Sequence, residues 1–194
     1  MQAERDEAVA VQVQRRRFSV AEYEQLIAIG VLCEDERVEL IEGELLAMSP
    51  FGSRHAGTVN RLNALLFDAL RGRVLLSLHD PIQLPPTSEP QPDVALLRPR
   101  ADFYTASHPT ADETLLVIEV ADSSLDYDRQ IKIPLYARHG IREAWLLDLE
   151  HDVLLVYREP GPAGYQVTHT LRRGETVALL AFPEQPIGVE VILG

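Results

Sequence analysis

Residues 115–121 read Leu-Leu-Val-Ile-Glu-Val-Ala, and this run constrains the fold more than any other stretch of the chain. Along a strand, successive side chains point to opposite faces. Leu116, Ile118 and Val120 therefore share one face, and Val117, Glu119 and Ala121 share the other. Both faces are apolar apart from one carboxylate, which predicts a central strand covered on two sides. A glutamate there is costly to bury unless it is paired, hydrogen-bonded or bound to a cation. Glu119 is thus a candidate functional group on physical grounds; the competing reading pairs it with a buried arginine.

The remaining patterns supply layers for such a strand. Ser19-Val20-Ala21-Glu22 has capping-box spacing and predicts a short helix stopping at Gly30. Arg37 to Met48 reads as two short strands around a Glu42-Gly43 turn. Ser53 is placed to cap a long helix with Ala56, Val59, Leu62, Leu65, Leu66 and Leu70 at helical spacing, closed by Gly72. Val74 to Leu84 is strand-like but interrupted at Pro81. The proline-rich segment 85–92 cannot be a central strand and reads as a rigid extended loop leading to Asp93. Strands are predicted over Asp93–Leu97 and Thr114–Ala121, and a helix within Leu125–His139 ended by Gly140. Later strands fall in Glu143–Leu149, Val153–Tyr157, Tyr165–Leu171, Thr176–Leu180 and Gly188–Leu193. The fold class is α+β: a mixed β-sheet core flanked by helices, formed as a single domain over residues 18–194. Residues 1–17 are polar, lack periodicity and end in Arg15-Arg16-Arg17; they read as a flexible arm.

A chain of 194 residues is long enough for a proper core. Its net charge of −12 argues against a general nucleic-acid coating protein, because phosphate contacts dominate that kind of affinity. It does not exclude a nuclease, since acidic clusters that hold divalent cations look repulsive only until the cations are counted. Cys33 is the lone cysteine, which suits a reducing compartment. No apolar leader and no run of membrane-spanning length is present, so the expectation is a soluble cytoplasmic protein without a membrane partner. The histidines show no zinc-ligand spacing, and there is neither a Gly-rich phosphate loop nor a serine nucleophile elbow.

The chemistry centres on oxygen ligands and one amine. Among 18 lysines and arginines, Lys132 is the only lysine. An ammonium is a compact point charge, unlike the planar guanidinium, and suits contact with an activated water or a phosphoryl oxygen. Asp93 follows a stiff proline loop at the mouth of a strand. Asp93 and Glu119, with the Val120 carbonyl, form the hard-oxygen set that Mg²⁺ prefers, water filling its other positions; Mn²⁺ is a possible substitute. Such a cation lowers the pKa of a bound water and polarises a scissile phosphate. Plainer readings stand beside these. Asp128 precedes Lys132 at the spacing of a surface helix ion pair. Pro134 would place Lys132 near a helix start, beside a kink. Asp93 can be an ordinary strand-entry aspartate. Glu39 is either a third acid of the site or a cross-strand partner of Arg37 or another arginine. His55 either contacts a phosphate or is a polar residue of a first helical turn.

Pro92-Asp93 followed by Glu119 resembles the PD-(D/E)XK nuclease signature, with Ala121 where that signature has lysine. Much of the chain, roughly residues 18–160, is similar to the Uma2 family within that nuclease fold. The matching pieces are 39–45 (Glu-Leu-Ile-Glu-Gly-Glu-Leu), Met48-Ser49-Pro50, His55, Pro92-Asp93-Val94, Val117-Ile118-Glu119-Val120, Ser123, Asp128, Lys132, Tyr136 and 140–145 (Gly-Ile-Arg-Glu-Ala-Trp). The resemblance implies a restriction-endonuclease-like fold and Mg²⁺-dependent hydrolysis of DNA, with Lys132, arriving from a helix, in place of the lysine absent at 121. It implies an acid at Glu39 and, by analogy with enzymes that cut both strands, a homodimer. The competing function is a catalytically silent nuclease fold that acts as a binding or regulatory partner.

Overall fold

The computed structural model describes residues 15–33 and 36–194. The arm expected over residues 1–17 therefore falls largely outside the described residues. Its three arginines are described, and they pair with acids: Arg15 and Arg17 with Glu44, Arg16 with Glu22.

Helix α1 (Val20–Ala28) begins with a capping box in which Ser19 and Glu22 bond each other's backbone. Strands β1 (Val38–Ile41) and β2 (Glu44–Ala47) form an antiparallel hairpin. Its turn holds Glu42 and Gly43 at φ +48° and +82°. Gly43 is required there twice over, because a Cβ would also lie 2.5 Å from the Arg17 Cβ. Helix α2 (Ser53–Leu70) follows, with Gly52 and not Ser53 as its N-cap and no side-chain cap.

The main sheet has six strands in the order β3-β4-β5-β6-β7-β8. These are Leu75–Ser77, Val94–Leu97, Thr114–Ala121, Glu143–Asp148, Val153–Gly161 and Gly164–Leu171. Only β5 and β6 run parallel; every other neighbouring pair is antiparallel. The parallel pair needs a crossover, and the segment after β5 supplies it as a helix. That helix is continuous but irregular: α3 (Leu125–Tyr127), a π turn over Asp128–Lys132, then α4 (Ile133–Arg138). Pro134 stands at the start of α4, where its missing N–H and its ring are tolerated.

Strand parity sorts the core. Leu116, Ile118 and Val120 pack with Val94, Leu96, Trp145 and Leu147 against α2. Val117 and Ala121 pack with Ala95, Leu97 and Leu146 against Ile133, Leu135 and Tyr136 of α4. Glu119 is on this second face, buried at the edge of this apolar layer. Beyond β8, strands β9 (Thr176–Leu179) and β10 (Phe182–Gly188) form a hairpin that closes the α2 face together with α5 (Val189–Leu193). The strand expected over Gly188–Leu193 is thus a helix. Its alternating pattern misleads because Val189, Ile192 and Leu193 also have helical spacing, and those three are the buried ones. The strand expected over Val74–Leu84 shrinks to β3 plus isolated bridges at Gln83 and Leu84, its far end broken around Pro81.

A small third core of Val20, Tyr23 and Leu40 joins α1 to the hairpin. The proline-rich segment is stitched onto it by paired backbone bonds between Leu40 and Glu89, and by Val20 and Gly43 N–H groups donating to Pro86 and Thr87. This fixes Glu39 relative to Asp93. It also buries Glu89, whose Oε2 has no partner among the described residues. Burial, with Glu24 adding like charge against a weaker opposing Gln83 contact, pushes the Glu89 carboxyl up to about 7. A carboxyl raised above its unfolded value holds its proton longer in the native state. Stability should therefore fall as pH rises between the unfolded value near 4.5 and about 7, and level off above. Glu89→Gln should flatten that segment of the stability–pH curve and raise stability at pH 8 by up to about 3 kcal/mol. Urea unfolding across pH 4–8 tests it; parallel curves for the two proteins would show that Glu89 is not the titrating group.

Candidate active site

A cavity of about 430 Å³ opens between the hairpin, the N-terminal end of α2 and the π turn. Glu39, Asp93, Glu119, Asp128 and Lys132 line it, along with His55, Phe51, Gln91 and Tyr127. All five charged residues are buried, Lys132 at 3% exposure and Glu119 at 2%. Four carboxylates thus meet one ammonium, a surplus of negative charge in a poorly solvated space.

Lys132 comes to this cavity through the π turn. Ile133 N–H bonds Asp128 O, five residues back, and the widened turn buries Asp128 and Lys132 together. The Lys132 ammonium lies 2.8 Å from Glu119 Oε1 and 3.7 Å from Glu39 Oε2, and donates to the Gln91 carbonyl at 3.1 Å. The surface pair with Asp128 does not form: the Asp128 carboxylate instead accepts a bond from Ser124 Oγ at 2.5 Å. Nor does Glu39 pair with Arg37. Tyr127 Oη donates to its Oε1 at 2.9 Å, and the Gln91 N–H to its Oε2 at 3.1 Å. Glu39 is a fully engaged counter-ion of Lys132. Glu119 also accepts from Tyr136 Oη on the oxygen that faces Lys132.

Asp93 is held from three directions. The Val120 N–H donates to its Oδ2 at 2.7 Å, and His55 Nε2 lies 3.0 Å from the same oxygen. His79 Nδ1 stands 3.4 Å from Oδ1 without hydrogen-bond geometry. His55 stacks on Phe51 with ring centroids 4.4 Å apart, His79 packs against Phe51 at 4.7 Å, and the Arg37 guanidinium sits 3.7 Å from the Phe51 centroid. His79 had no signal in the sequence. It reaches Asp93 because β3 runs antiparallel to β4 and because its own backbone adopts φ +58°, a rare state for a side chain of its size. Tyr127 is likewise visible only once the helix is in place.

Electrostatics follow from burial. Burial alone would lower the Lys132 pKa, but Glu119, Glu39, Asp128 and Asp93 outweigh it and raise it, so the ammonium stays charged. Burial pushes Glu119 well up, with Lys132 opposing and Asp128 and Asp93 reinforcing. Asp128 is pushed up to about 6, again chiefly by burial. Burial would also raise Asp93, yet the two imidazoles and Lys132 prevail and hold it well below the usual carboxylate range. Tyr136 is raised well above its usual value by burial and by Glu119, so it remains a donor.

The donor set suits a hard divalent cation. Among the described residues, Glu119 Oε2 and Asp93 Oδ1 accept no hydrogen bond. The register that pairs Val94 with Ile118 sets Pro92, which has no N–H, opposite Val120. The Val120 carbonyl, on the same edge as its N–H, therefore meets no ladder donor. Two carboxylate oxygens and one carbonyl are thus left free beside surplus negative charge. No three His, Cys, Asp or Glu side chains among the described residues form a ready-made cage. A hard divalent cation held by two carboxylates and one carbonyl would keep several waters.

A mixed sheet with an acid on its central strand, a second at the mouth of the neighbouring strand and a lysine from the crossover helix defines a restriction-endonuclease-like nuclease fold. The chain belongs to the Uma2 family, described as "Putative restriction endonuclease", whose profile matches residues 20–190. It is similar in structure to the crystal structure of a "putative nuclease belonging to DUF820" from Anabaena variabilis ATCC 29413. That match has a TM-score of 0.71 at 18% identity and covers 91% of this chain and 97% of the other. No curated protein matches the chain.

Proposed function

We propose that the protein is a Mg²⁺-dependent endonuclease of the PD-(D/E)XK type, hydrolysing DNA phosphodiester bonds, with residues 18–194 acting as one nuclease domain. The carrying observation is the Lys132 ammonium, buried against Glu119 in the cavity that Asp93 also lines. Asp93, Glu119 and the Val120 carbonyl would hold the cation. When bound, it would polarise the scissile phosphate and acidify a water; Mn²⁺ would substitute for it. The chain's own residues do the rest. Glu39, Gln91 and Glu119 fix the ammonium, which can orient the attacking water and offset charge growing on the phosphoryl oxygens. His55 and Val120 hold the Asp93 carboxylate in one orientation, as second-sphere partners of a ligand do. Glu39 acts by anchoring Lys132.

No helix among the described residues is long and apolar enough to cross a membrane. A cytoplasmic setting suits the exposed, unpaired Cys33. Cutting both strands calls for two sites, so a homodimer accords with this reading.

One observation favours the silent alternative: the Lys132 ammonium is already engaged by two carboxylates and a carbonyl. Incubation of purified protein with supercoiled plasmid separates the two. The expected result is nicking or cutting with Mg²⁺ or Mn²⁺, abolished by chelation, and a loss of about 10²-fold or more in Lys132→Arg, because the planar guanidinium cannot replace a point charge in this slot. Equal cleavage by the arginine variant would remove Lys132 from the mechanism.

A further inference from the structure

We propose that Asp128 is the catalytic base of this site, taking the proton from the attacking water. The proposal rests on the nuclease reading above and assigns the one step that reading leaves without a residue.

Lys132 cannot fill the role. Its ammonium is surrounded by carboxylates that keep it protonated, so it has donors to offer and no lone pair. Glu39 is spent on Tyr127, Gln91 and Lys132. Asp93 is held far below the usual carboxylate range and makes a poor base. Of the acids not assigned to the cation, Asp128 alone combines burial, at 4% exposure, with a place on the cavity wall and one uncommitted oxygen. Ser124 Oγ bonds Oδ2, while Oδ1 has no partner among the described residues yet is not sealed off.

The backbone points the same way. Residues four apart on an exposed helix face would make Asp128 and Lys132 a surface pair. The π turn instead turns both inward and leaves them unbonded to each other. Such turns cost regular helical bonding and recur at functional sites. The groups facing Asp128 are Lys132 from its own turn, Glu39 from the hairpin, and Asp93 and Glu119 from the sheet. Their balance with burial pushes the carboxyl up to about 6 in the cation-free protein, and a base needs only a free, inward-facing oxygen beside the water, which Oδ1 offers.

In the step, the water oxygen bonds to phosphorus and its proton passes to Asp128 Oδ1. The bond from phosphorus to the leaving ester oxygen breaks, and that oxygen takes a proton from solvent water. Asp128 returns its proton to solvent afterwards.

Asp128→Asn tests the assignment, with Mn²⁺ binding by calorimetry, thermal melting without metal, and plasmid nicking from pH 5 to 9. The expected variant binds Mn²⁺ within about twofold of wild type, melts no lower than wild type, and nicks about 10²–10⁴-fold more slowly. Its pH–rate profile should lose the fall on the acid side that a carboxylate base predicts for the wild type. A lowered melting temperature would make Asp128 a structural partner, and a tenfold loss of Mn²⁺ affinity would make it a ligand; either overturns the proposal. Undiminished nicking by the variant overturns the base while leaving the nuclease reading intact. A wild type that binds Mn²⁺ yet cuts no DNA overturns both.

Discussion

Lys132→Ala should lower the unfolding free energy by about 3–5 kcal/mol, the cost of stripping one partner from a buried ion pair. The sequence, with Asp128 four residues upstream, suggests a helix-surface lysine whose loss would cost little. The structure reverses that expectation, because Lys132 is 3% exposed and is the counter-ion of both Glu119 and Glu39. Removing it leaves two carboxylates buried without a cation, and Glu119 could be relieved only by taking up a proton. The double variant Lys132→Met with Glu119→Gln should recover a large part of the loss, since apolar or neutral replacements of a whole buried pair are often close to neutral. Urea unfolding at constant pH gives both numbers. A single alanine variant within about 1 kcal/mol of wild type would mean that the ammonium is not paired in the folded protein. Activity assays on Lys132→Ala must accordingly be read at temperatures where the variant is folded.

The parts of this fold that were legible in sequence are those set by local chemistry. Strand parity placed Glu119 with Val117 and Ala121, and they do share a face. The capping box at Ser19, the turn at Glu42-Gly43 and the stops at Gly30, Gly72 and Gly140 follow from backbone preferences of single residues. What escaped depends on contacts between distant segments. Val189, Ile192 and Leu193 satisfy strand and helix patterns at once, and only the space beside α2 selects the helix. The π turn is invisible in composition, so the Asp128–Lys132 spacing pointed to solvent when both residues face the cavity. For Glu39 the sequence offered Arg37 as a cross-strand partner, because the lysine that does pair with it is far along the chain. His79 gave no cue whatever; its place beside Asp93 needs the β3–β4 pairing and a left-handed backbone. Such strained conformations persist only where the surroundings over-determine them, and here two aromatic contacts and a carboxylate do so.

The same surplus of buried negative charge predicts a large response to divalent cations. A cation that binds only the native state stabilises it by about 2.7 kcal/mol at a hundred times its dissociation constant, which for a domain of this size is a shift of several degrees in melting temperature. Mn²⁺ or Mg²⁺ should therefore raise the melting temperature progressively with concentration. Asp93→Asn and Glu119→Gln should each remove most of that rise, with each variant compared against its own cation-free melt. A cation needs its carboxylate ligands deprotonated, and burial pushes Glu119 well up. The response should accordingly weaken as pH falls below neutrality, protons displacing the cation at Glu119 before they reach Asp93, which is held far lower. Differential scanning fluorimetry across cation concentration and pH measures all of this without a DNA substrate. A wild type whose melting temperature ignores both cations would leave Lys132 as the permanent and sufficient counter-charge of the cavity, and would favour a nuclease fold kept for binding over one kept for cleavage.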